Sequence, residues 1–189
     1  MTSTFTELDL DVLRGTWKID TAHSSLAFSA KHAMVTNVRG HFSDYNGTIT
    51  LDPDHPARTS AVVTINATSL DTGSPDRDGH LRSGDFLAVE KYPELTFRST
   101  RAAAGDEEGS YKLWGELTIR DVSHEVELDI EFQGLATDPF GNLRAGFEGE
   151  TVINRKDWGL VWNVPLDKGG LLVSEKVKLI LDISAIKQA

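Results

Sequence analysis

Apolar and polar residues alternate along most of the chain from Gly15 onward. The clearest segment is EVELDIEFQ, residues 125–133, in which every second residue is apolar and the residues between are Glu, Asp or Gln. The segments SLAFSAKH (25–32), AVVTINATSL (61–70) and EKVKLILDI (175–183) have the same period of two. This period is typical of half-buried β-strands. Strands of this kind, joined mostly by short connections, favour antiparallel pairing with one face towards water.

The number of such segments predicts an all-β fold, a closed antiparallel β-barrel of about eight strands, because closure removes the exposed edges of a sheet. Asn46-Gly47 is expected to form the tight turn of a hairpin, since this dipeptide readily adopts positive φ. We find no repeat and no low-complexity linker. The sequence therefore predicts an N-terminal lead-in over residues 1–14 and a single domain over residues 15–189.

The inward faces of the predicted strands mix large residues with small ones such as Ala61, Gly115 and Gly149. Small inward residues leave volume, and unfilled apolar volume is unfavourable, so either neighbours collapse onto it or a ligand occupies it. We favour the ligand. The residues predicted to line this cavity are Leu26, Phe28, Ala30, His32, Phe42, Val63, Ile65, Phe86, Phe97, Leu113, Gly115, Leu117, Leu128, Phe132, Phe147, Trp158 and Trp162.

The stretch SPDRDGHLRSGDF, residues 74–86, interrupts the alternation. Ser74 can cap a helix, Pro75 suits its first position and Gly84 suits the residue just past its end. We therefore predict a short helix over residues 75–83 that closes one end of the barrel. Leu81 at its end is expected to point into the apolar interior.

The charges of this helix allow two interpretations. Asp78 and Arg82 are four residues apart and are expected to form a solvated pair. Arg77 and His80 share a face, where they either anchor the helix to neighbouring strands or contact the head group of a ligand. A cation beside an apolar cavity would suit an anionic head such as phosphate.

A second dense stretch is NRKDWGLVWNVPL, residues 154–166. It brings Arg155 close to Trp158 and Trp162. These tryptophans are either core residues of a loop packed over the barrel end, or an apolar rim beside which Arg155 contacts a head group.

Signals of catalysis are weak. The chain has no GxSxG, P-loop or GxGxxG motif, and its six histidines are scattered without ligand spacing, so we expect no metal and no cofactor other than a bound lipid. An alternative hypothesis is an enzyme that acts on a lipophilic substrate inside the barrel, with Asp76, His80 or His32 as acid or base. It predicts that these polar groups converge in the cavity.

The composition of the chain limits its possible binding partners. The net charge of −10 disfavours non-specific binding to nucleic acid or to anionic membranes, although a local basic site remains open. The chain has no cysteine, so a disulfide scaffold and thiolate chemistry are excluded. It has no apolar run that resembles a signal peptide or reaches the length of a membrane span. These features lead us to expect a soluble, cytoplasmic protein.

Several motifs in order resemble the YceI-like family of bacterial lipocalin-like proteins. They are GTWKIDTAHSSLAFSAKH, VTNVRGHF, DRDGHLRSGDF, KYPELTF, GELTIRDVSHEVEL and NRKDWG, and together they span roughly Gly15 to Ala185. The order and spacing of the whole set make the resemblance more specific than any one motif. RDGHL, residues 77–81, and Arg155 fall within the matching motifs.

The resemblance implies a lipocalin-like barrel with an elongated apolar cavity that binds polyisoprenoids or other long amphiphiles, often as a homodimer and without established catalysis. It therefore favours a protein that carries or sequesters an isoprenoid lipid, an isoprenoid quinone or a polyprenyl phosphate, with Arg77, His80 and Arg155 as candidate head-group contacts. The enzyme stays the alternative. A third hypothesis is an interaction module whose cavity is vestigial.

Overall fold

The computed structural model describes residues 11–189 of the chain. Within them are a helix, α1 (Pro75–Arg82), and eleven β-strands: β1 (Gly15–Ile19), β2 (Ser25–His32), β3 (Thr36–Phe42), β4 (Tyr45–Leu51), β5 (Ser60–Asn66), β6 (Leu70–Asp71), β7 (Glu94–Ala104), β8 (Ser110–Ile119), β9 (Val122–Thr137), β10 (Leu143–Asn154) and β11 (Val173–Lys187). Short 3-10 helices cover Thr21–His23, Pro56–Arg58, Ala67–Ser69 and Arg155–Trp158.

Eight strands close into a barrel in the order β1, β4, β5, β7, β8, β9, β10 and β11, and every neighbouring pair is antiparallel. Closure is made by β11, whose last residues pair with β1. An earlier part of β11 pairs instead with β2, which continues β1 beyond a bend, and β3 and β6 extend the sheet from there. The predicted closed antiparallel barrel of about eight strands is confirmed.

The alternation of apolar and polar residues along the strands determines which side chains form the core. On β9, Val126 and Leu128 are buried, whereas Glu127 and Asp129, which alternate with them, are exposed. Burying one side of every strand removes a continuous apolar surface from water, which is the main favourable term for such a sheet. Charged residues on the outer face keep the same sheet soluble.

The predicted hairpin turn at Asn46-Gly47 is wrong. Both residues lie inside β4, and β4 pairs with β1 and β5 rather than with β3. Gly47 faces the interior, where an added Cβ would lie 2.5 Å from Ile19 Cδ1. The glycine is needed for the close approach of this side chain and not for positive φ.

Helix α1 confirms the predicted helix almost residue for residue. It starts after Ser74, whose side chain accepts a hydrogen bond from the Arg77 backbone N–H, and has Pro75 in its first turn. It ends at Arg82, with Ser83 as the C-cap. The helix lies between β6 and β7 at one end of the barrel.

The predicted lead-in, residues 1–14, lies mostly outside the described residues. Of the described part, Leu13 is buried, and its backbone carbonyl accepts a hydrogen bond of 2.8 Å from Trp17 Nε1. Trp17 is fully buried. Residues just before β1 therefore pack against the barrel instead of extending from it.

Candidate ligand-binding cavity

An apolar cavity of about 410 Å³ lies inside the barrel. This volume falls within the range of roughly 300–1,000 Å³ that is common for small-molecule pockets. The lining comes from the inward faces of strands all around the ring. Apart from Asp52, Thr59, Tyr111 and Lys112, every lining residue is apolar.

The structure brings most of the predicted lining residues together at this cavity. Those that line it are Leu26, Phe28, Phe42, Val63, Ile65, Phe97, Leu113, Leu117, Leu128, Phe132 and Phe147. Sequence reasoning missed other lining residues, among them Ile19, Ile49, Ala102, Leu179, Leu181 and Ile183. The last three occupy alternate positions of β11, so their periodicity could have identified them.

The remaining predicted residues lie off the cavity surface, three of them at barrel positions. His32 is exposed at the end of β2, and Ala30 precedes it on the same strand. Gly115 points inward, but a Cβ there would collide with the Phe97 ring, which covers it. The other three, Phe86, Trp158 and Trp162, belong to the segments that close one end of the barrel.

Those three aromatic residues have structural contacts. Trp158 is buried, and its Nε1 donates a hydrogen bond of 2.9 Å to the Leu117 carbonyl. Phe86 is 5% exposed, and its ring centroid lies 5.5 Å from that of Trp162. These residues seal the end of the barrel below the cavity, as expected for core residues of a closing loop.

The expectation that small inward residues create the free volume is wrong for the glycines. Phe97 fills the space above Gly115, and Ile130 Cδ1 would lie 2.6 Å from a Cβ on Gly149. Ala145 is fully buried. Among the small residues considered, Ala61 does line the cavity. The glycines accommodate large neighbours, as close packing requires.

The polar lining residues all lie at the end of the barrel opposite α1. Asp52 and Thr59 belong to the β4–β5 connection, which also contributes Pro53 and Pro56 to the lining. Tyr111 and Lys112 begin β8 on the neighbouring side. An elongated amphiphile in this cavity would therefore meet polar groups at this end.

Asp52 is the centre of a charged network at this polar end. Arg14 Nη1 lies 3.1 Å from Asp52 Oδ1, and Arg58 Nη1 lies 3.8 Å from Oδ2. Burial raises the pKa of Asp52, but the His55 backbone N–H and the charges of His55 and Arg14 together hold this pKa below its usual value. Asp52 is thus an anion at neutral pH, with cations already around it.

The candidate head-group contacts on α1 do not line the cavity. Arg77 donates from Nε to Thr72 Oγ1 and from an Nη to the Thr72 carbonyl, both at 2.7 Å. His80 Nε2 lies 2.8 Å from Asp85 Oδ2, and its ring packs edge-on against Trp162 with centroids 4.5 Å apart. Both side chains anchor α1 to neighbouring segments, which is the first of the two interpretations given for Arg77 and His80.

Arg155 is 4% exposed, and each nitrogen of its guanidinium donates to a backbone carbonyl. It donates to the carbonyls of Ser174, Leu160 and Val173 at 2.9, 2.5 and 3.2 Å. Burial lowers the pKa of Arg155. These bonds connect the loop after β10 to the start of β11, and Arg155 does not line the cavity.

The expected Asp78–Arg82 pair is wrong. Asp78 is buried, and its Oδ1 accepts hydrogen bonds from the backbone N–H and the hydroxyl of Thr72. Arg82 donates instead to the carbonyls of Thr68 and Leu70. Asp78 thus accepts from the donors of Thr72, and Arg82 satisfies the carbonyls beside β6, so each side chain joins α1 to the segment before it.

The residues named for acid–base chemistry do not converge. Asp76 and His32 are exposed, and His80 is paired with Asp85 rather than with Asp76. None of the three lines the cavity. Within residues 11–189, no group of three or more His, Asp or Glu side chains is placed to hold a metal ion. No helix in that same range is long and apolar enough to span a membrane.

The fold and the cavity define a lipocalin-like β-barrel with an apolar interior. The profile of the YceI-like domain matches residues 17–185. The chain is 38% identical over 174 residues to the protein YceI of Escherichia coli O157:H7, an alignment that covers 91% of this chain and 87% of that one. The chain therefore belongs to the YceI-like family.

Solved structures share this fold. BcnA of Burkholderia cenocepacia superposes with a TM-score of 0.75 at 22% identity, covering 88% of this chain and 98% of BcnA. A polyisoprenoid binding domain from Saccharophagus degradans superposes with a TM-score of 0.68 at 16% identity, covering 91% and 98% of the two chains. At these identities the likeness concerns the fold alone.

Proposed function

We propose that the chain binds one long apolar amphiphile inside the barrel and carries or sequesters it. The observation that carries this proposal is the cavity of about 410 Å³ inside the barrel, with its almost wholly apolar lining. Empty apolar volume of this size lowers the stability of the protein, because the lining side chains lack contacts on one side. An apolar ligand that fills the volume restores those van der Waals contacts. The ligand class is an isoprenoid lipid, an isoprenoid quinone or a polyprenyl phosphate.

The likeness to the polyisoprenoid binding domain of S. degradans supports this ligand class. Isoprenoid chains are long, flexible and apolar, which suits a cavity that runs along the barrel and is lined by strands on every side. Apolar contacts are non-directional, so the cavity selects for apolar volume more than for a particular chain.

The polar end of the ligand is proposed to lie at the β4–β5 connection. Asp52, Thr59 and Tyr111 supply the polar side-chain groups at this end of the lining. The Lys112 ammonium is directed to the outer face, where its Nζ lies 2.7 Å from Glu127 Oε1, and Asp52 already has cationic neighbours. Because these charges are compensated, an uncharged polar end such as a hydroxyl or a quinone ring fits here better than a free anion.

Binding is proposed in preference to catalysis. The side chains that could act as acid or base, His80, His32 and Asp76, lie off the cavity surface. A general acid or base must come within hydrogen-bonding reach of the reacting group. A ligand enclosed by the barrel would be out of reach of these three residues.

The test is a titration of delipidated protein with the fluorescent apolar probe N-phenyl-1-naphthylamine, followed by displacement with geranylgeraniol. We expect saturable binding of one probe per chain and complete displacement by geranylgeraniol. Geranylgeranyl phosphate is expected to displace the probe less well than the alcohol. Absence of saturable binding, or displacement that proceeds equally with a short water-soluble alcohol, would count against the proposal.

A further inference from the structure

Exposed apolar residues cluster at one place on the outer surface. The turn between β2 and β3 exposes Met34 (59%) and Val35 (76%). The loop over residues 159–172 exposes Val161 (61%) and Val164 (43%). Large apolar side chains exposed together, rather than singly, mark an interaction surface. We name these four residues the apolar tip.

The two segments of the apolar tip are in direct contact. The Ala33 backbone N–H donates a hydrogen bond of 2.7 Å to the Leu172 carbonyl, and the Leu172 N–H donates one of 2.9 Å to the Val164 carbonyl. The Met34 side chain lies over Gly170, whose added Cβ would be 3.2 Å from Met34 Cγ. The turn that carries Met34 and Val35 therefore lies directly beside the loop that carries Val161 and Val164.

The backbone of the turn is strained in a way that keeps an apolar side chain at its apex. Ala33 and Met34 have φ of 49° and 68°, in the left-handed region that glycine or asparagine normally occupies. Side chains at such positions are uncommon, and strain of this kind clusters at functional surfaces. A turn that only had to reverse the chain would be more stable with glycine there.

The charge around the apolar tip is opposite to that of the whole chain. The two segments, residues 31–39 and 159–172, contain Lys31, Arg39 and Lys168 but only one carboxylate, that of Asp167. All four of these side chains are exposed. The chain as a whole has a net charge of −10. A local excess of cations on an acidic protein favours one specific anionic surface over general association.

The charges at the opposite end of the barrel orient such an association. The β7–β8 turn at that end carries three exposed carboxylates, those of Asp106, Glu107 and Glu108. An anionic surface would repel this end and attract the apolar tip. The protein would therefore approach such a surface with one preferred orientation.

We propose that the apolar tip docks the protein on the surface of an anionic lipid bilayer. Met34, Val35, Val161 and Val164 would enter the boundary between head groups and acyl chains, while Lys31 and Lys168 contact anionic lipids. This combination of apolar insertion and electrostatic attraction is how peripheral proteins bind membranes reversibly. The surface is separate from the cavity, so docking and ligand binding can fail independently.

The test is co-sedimentation of the full chain with vesicles of phosphatidylcholine, with and without phosphatidylglycerol. Binding is expected to the anionic vesicles and to weaken with salt. Lys31→Gln with Lys168→Gln should weaken it about fivefold per charge. Met34→Ser with Val35→Ser should weaken it by about tenfold or more. Phe140→Ser is the matched control, since Phe140 is 89% exposed at the β9–β10 turn and should bind like the wild type.

Three results would overturn the proposal. One is equal binding to both kinds of vesicle. Another is a loss of binding by Phe140→Ser equal to that of the Met34 and Val35 variant. The third is sedimentation equilibrium showing a dimer that Met34→Ser with Val35→Ser converts to a monomer, because a second copy of the chain would then cover the apolar tip. Melting curves of each variant verify that it is folded.

Discussion

Filling the cavity from within should stabilise the empty protein and weaken ligand binding at the same time. Ala102 lines the cavity from β7 and is 8% exposed. Leucine at this position would place three more carbons in free apolar space. Each buried carbon group contributes about 0.8 kcal/mol, or about 2.4 kcal/mol for three. Fixing the leucine rotamer costs about 0.5–1 kcal/mol.

The expected net gain in the free energy of unfolding of Ala102→Leu is about 1.5 kcal/mol. For a domain of this length that corresponds to a rise in Tm of roughly 3–6 °C. The same leucine would overlap with a bound chain, and overpacking of this kind costs about 1–3 kcal/mol, which weakens affinity roughly five- to 150-fold. Calorimetry of delipidated protein measures the first effect, and titration with N-phenyl-1-naphthylamine measures the second.

Ala103→Leu is the matched control, since the same substitution one residue along β7 points to the other face of the strand. Ala103 is half-buried and does not line the cavity. Its variant should leave probe affinity unchanged. The reasoning is refuted if Ala102→Leu lowers Tm, or if both variants change probe affinity equally, because the free volume would then not be the binding site.

Three further predictions concern the frame of the barrel. Gly115→Ala should lower the free energy of unfolding by about 1–3 kcal/mol, because its Cβ would collide with Phe97. Gly79→Ala on α1 should instead raise this free energy by about 0.5–1 kcal/mol, because nothing lies within 4 Å of the added Cβ. Urea unfolding of both variants tests the contrast. Asp78→Ala should cost about 2 kcal/mol by the same assay, since it leaves the half-buried Thr72 N–H without its acceptor, and an unchanged midpoint would contradict this. Arg144 donates hydrogen bonds to Asp20 and Asp138 and helps to lower the pKa of both carboxyls. Their stabilisation is therefore complete above about pH 4 and is lost as the pH falls through the lowered values. Arg144→Ala should lower the free energy of unfolding at pH 7 and lower it progressively less in acid, and a cost that stayed constant with pH would count against the pairing.

The strands were predictable because their alternation reflects burial directly. The segment SLAFSAKH became β2 with no residue added or lost. The helix α1 was predictable because Ser74 and Pro75 satisfy the specific needs of a helix start. In both cases local chemistry and the global fold favour the same structure.

Two predictions based on glycine residues were wrong. In Asn46-Gly47 and at Gly115 the residue type predicts freedom of the backbone or free space. The structure uses both glycines for the close approach of a large neighbour, Ile19 and Phe97 respectively. Which neighbour approaches depends on strand pairing across the barrel, and a single sequence does not contain that information.

The polar contacts of the site were harder to predict for a similar reason. A cation in a family motif can face a ligand or bind backbone carbonyls, and the sequence does not distinguish these uses. Arg155 and Arg77 bind carbonyls and hydroxyls of neighbouring segments. The polar end of the cavity is instead formed by the loop around Asp52 and Thr59, whose sequence indicates only a turn.

The most direct test of the proposed carrier is to identify what the protein holds when it is purified from its own cells. Native protein would be extracted with organic solvent, and the extract analysed by mass spectrometry and quantified per chain. We predict one long-chain isoprenoid or isoprenoid quinone per chain in the wild type and in Ala103→Leu, and markedly less in Ala102→Leu. An extract without lipid, or one whose lipid content is the same in all three proteins, would contradict the claim that the barrel encloses the ligand.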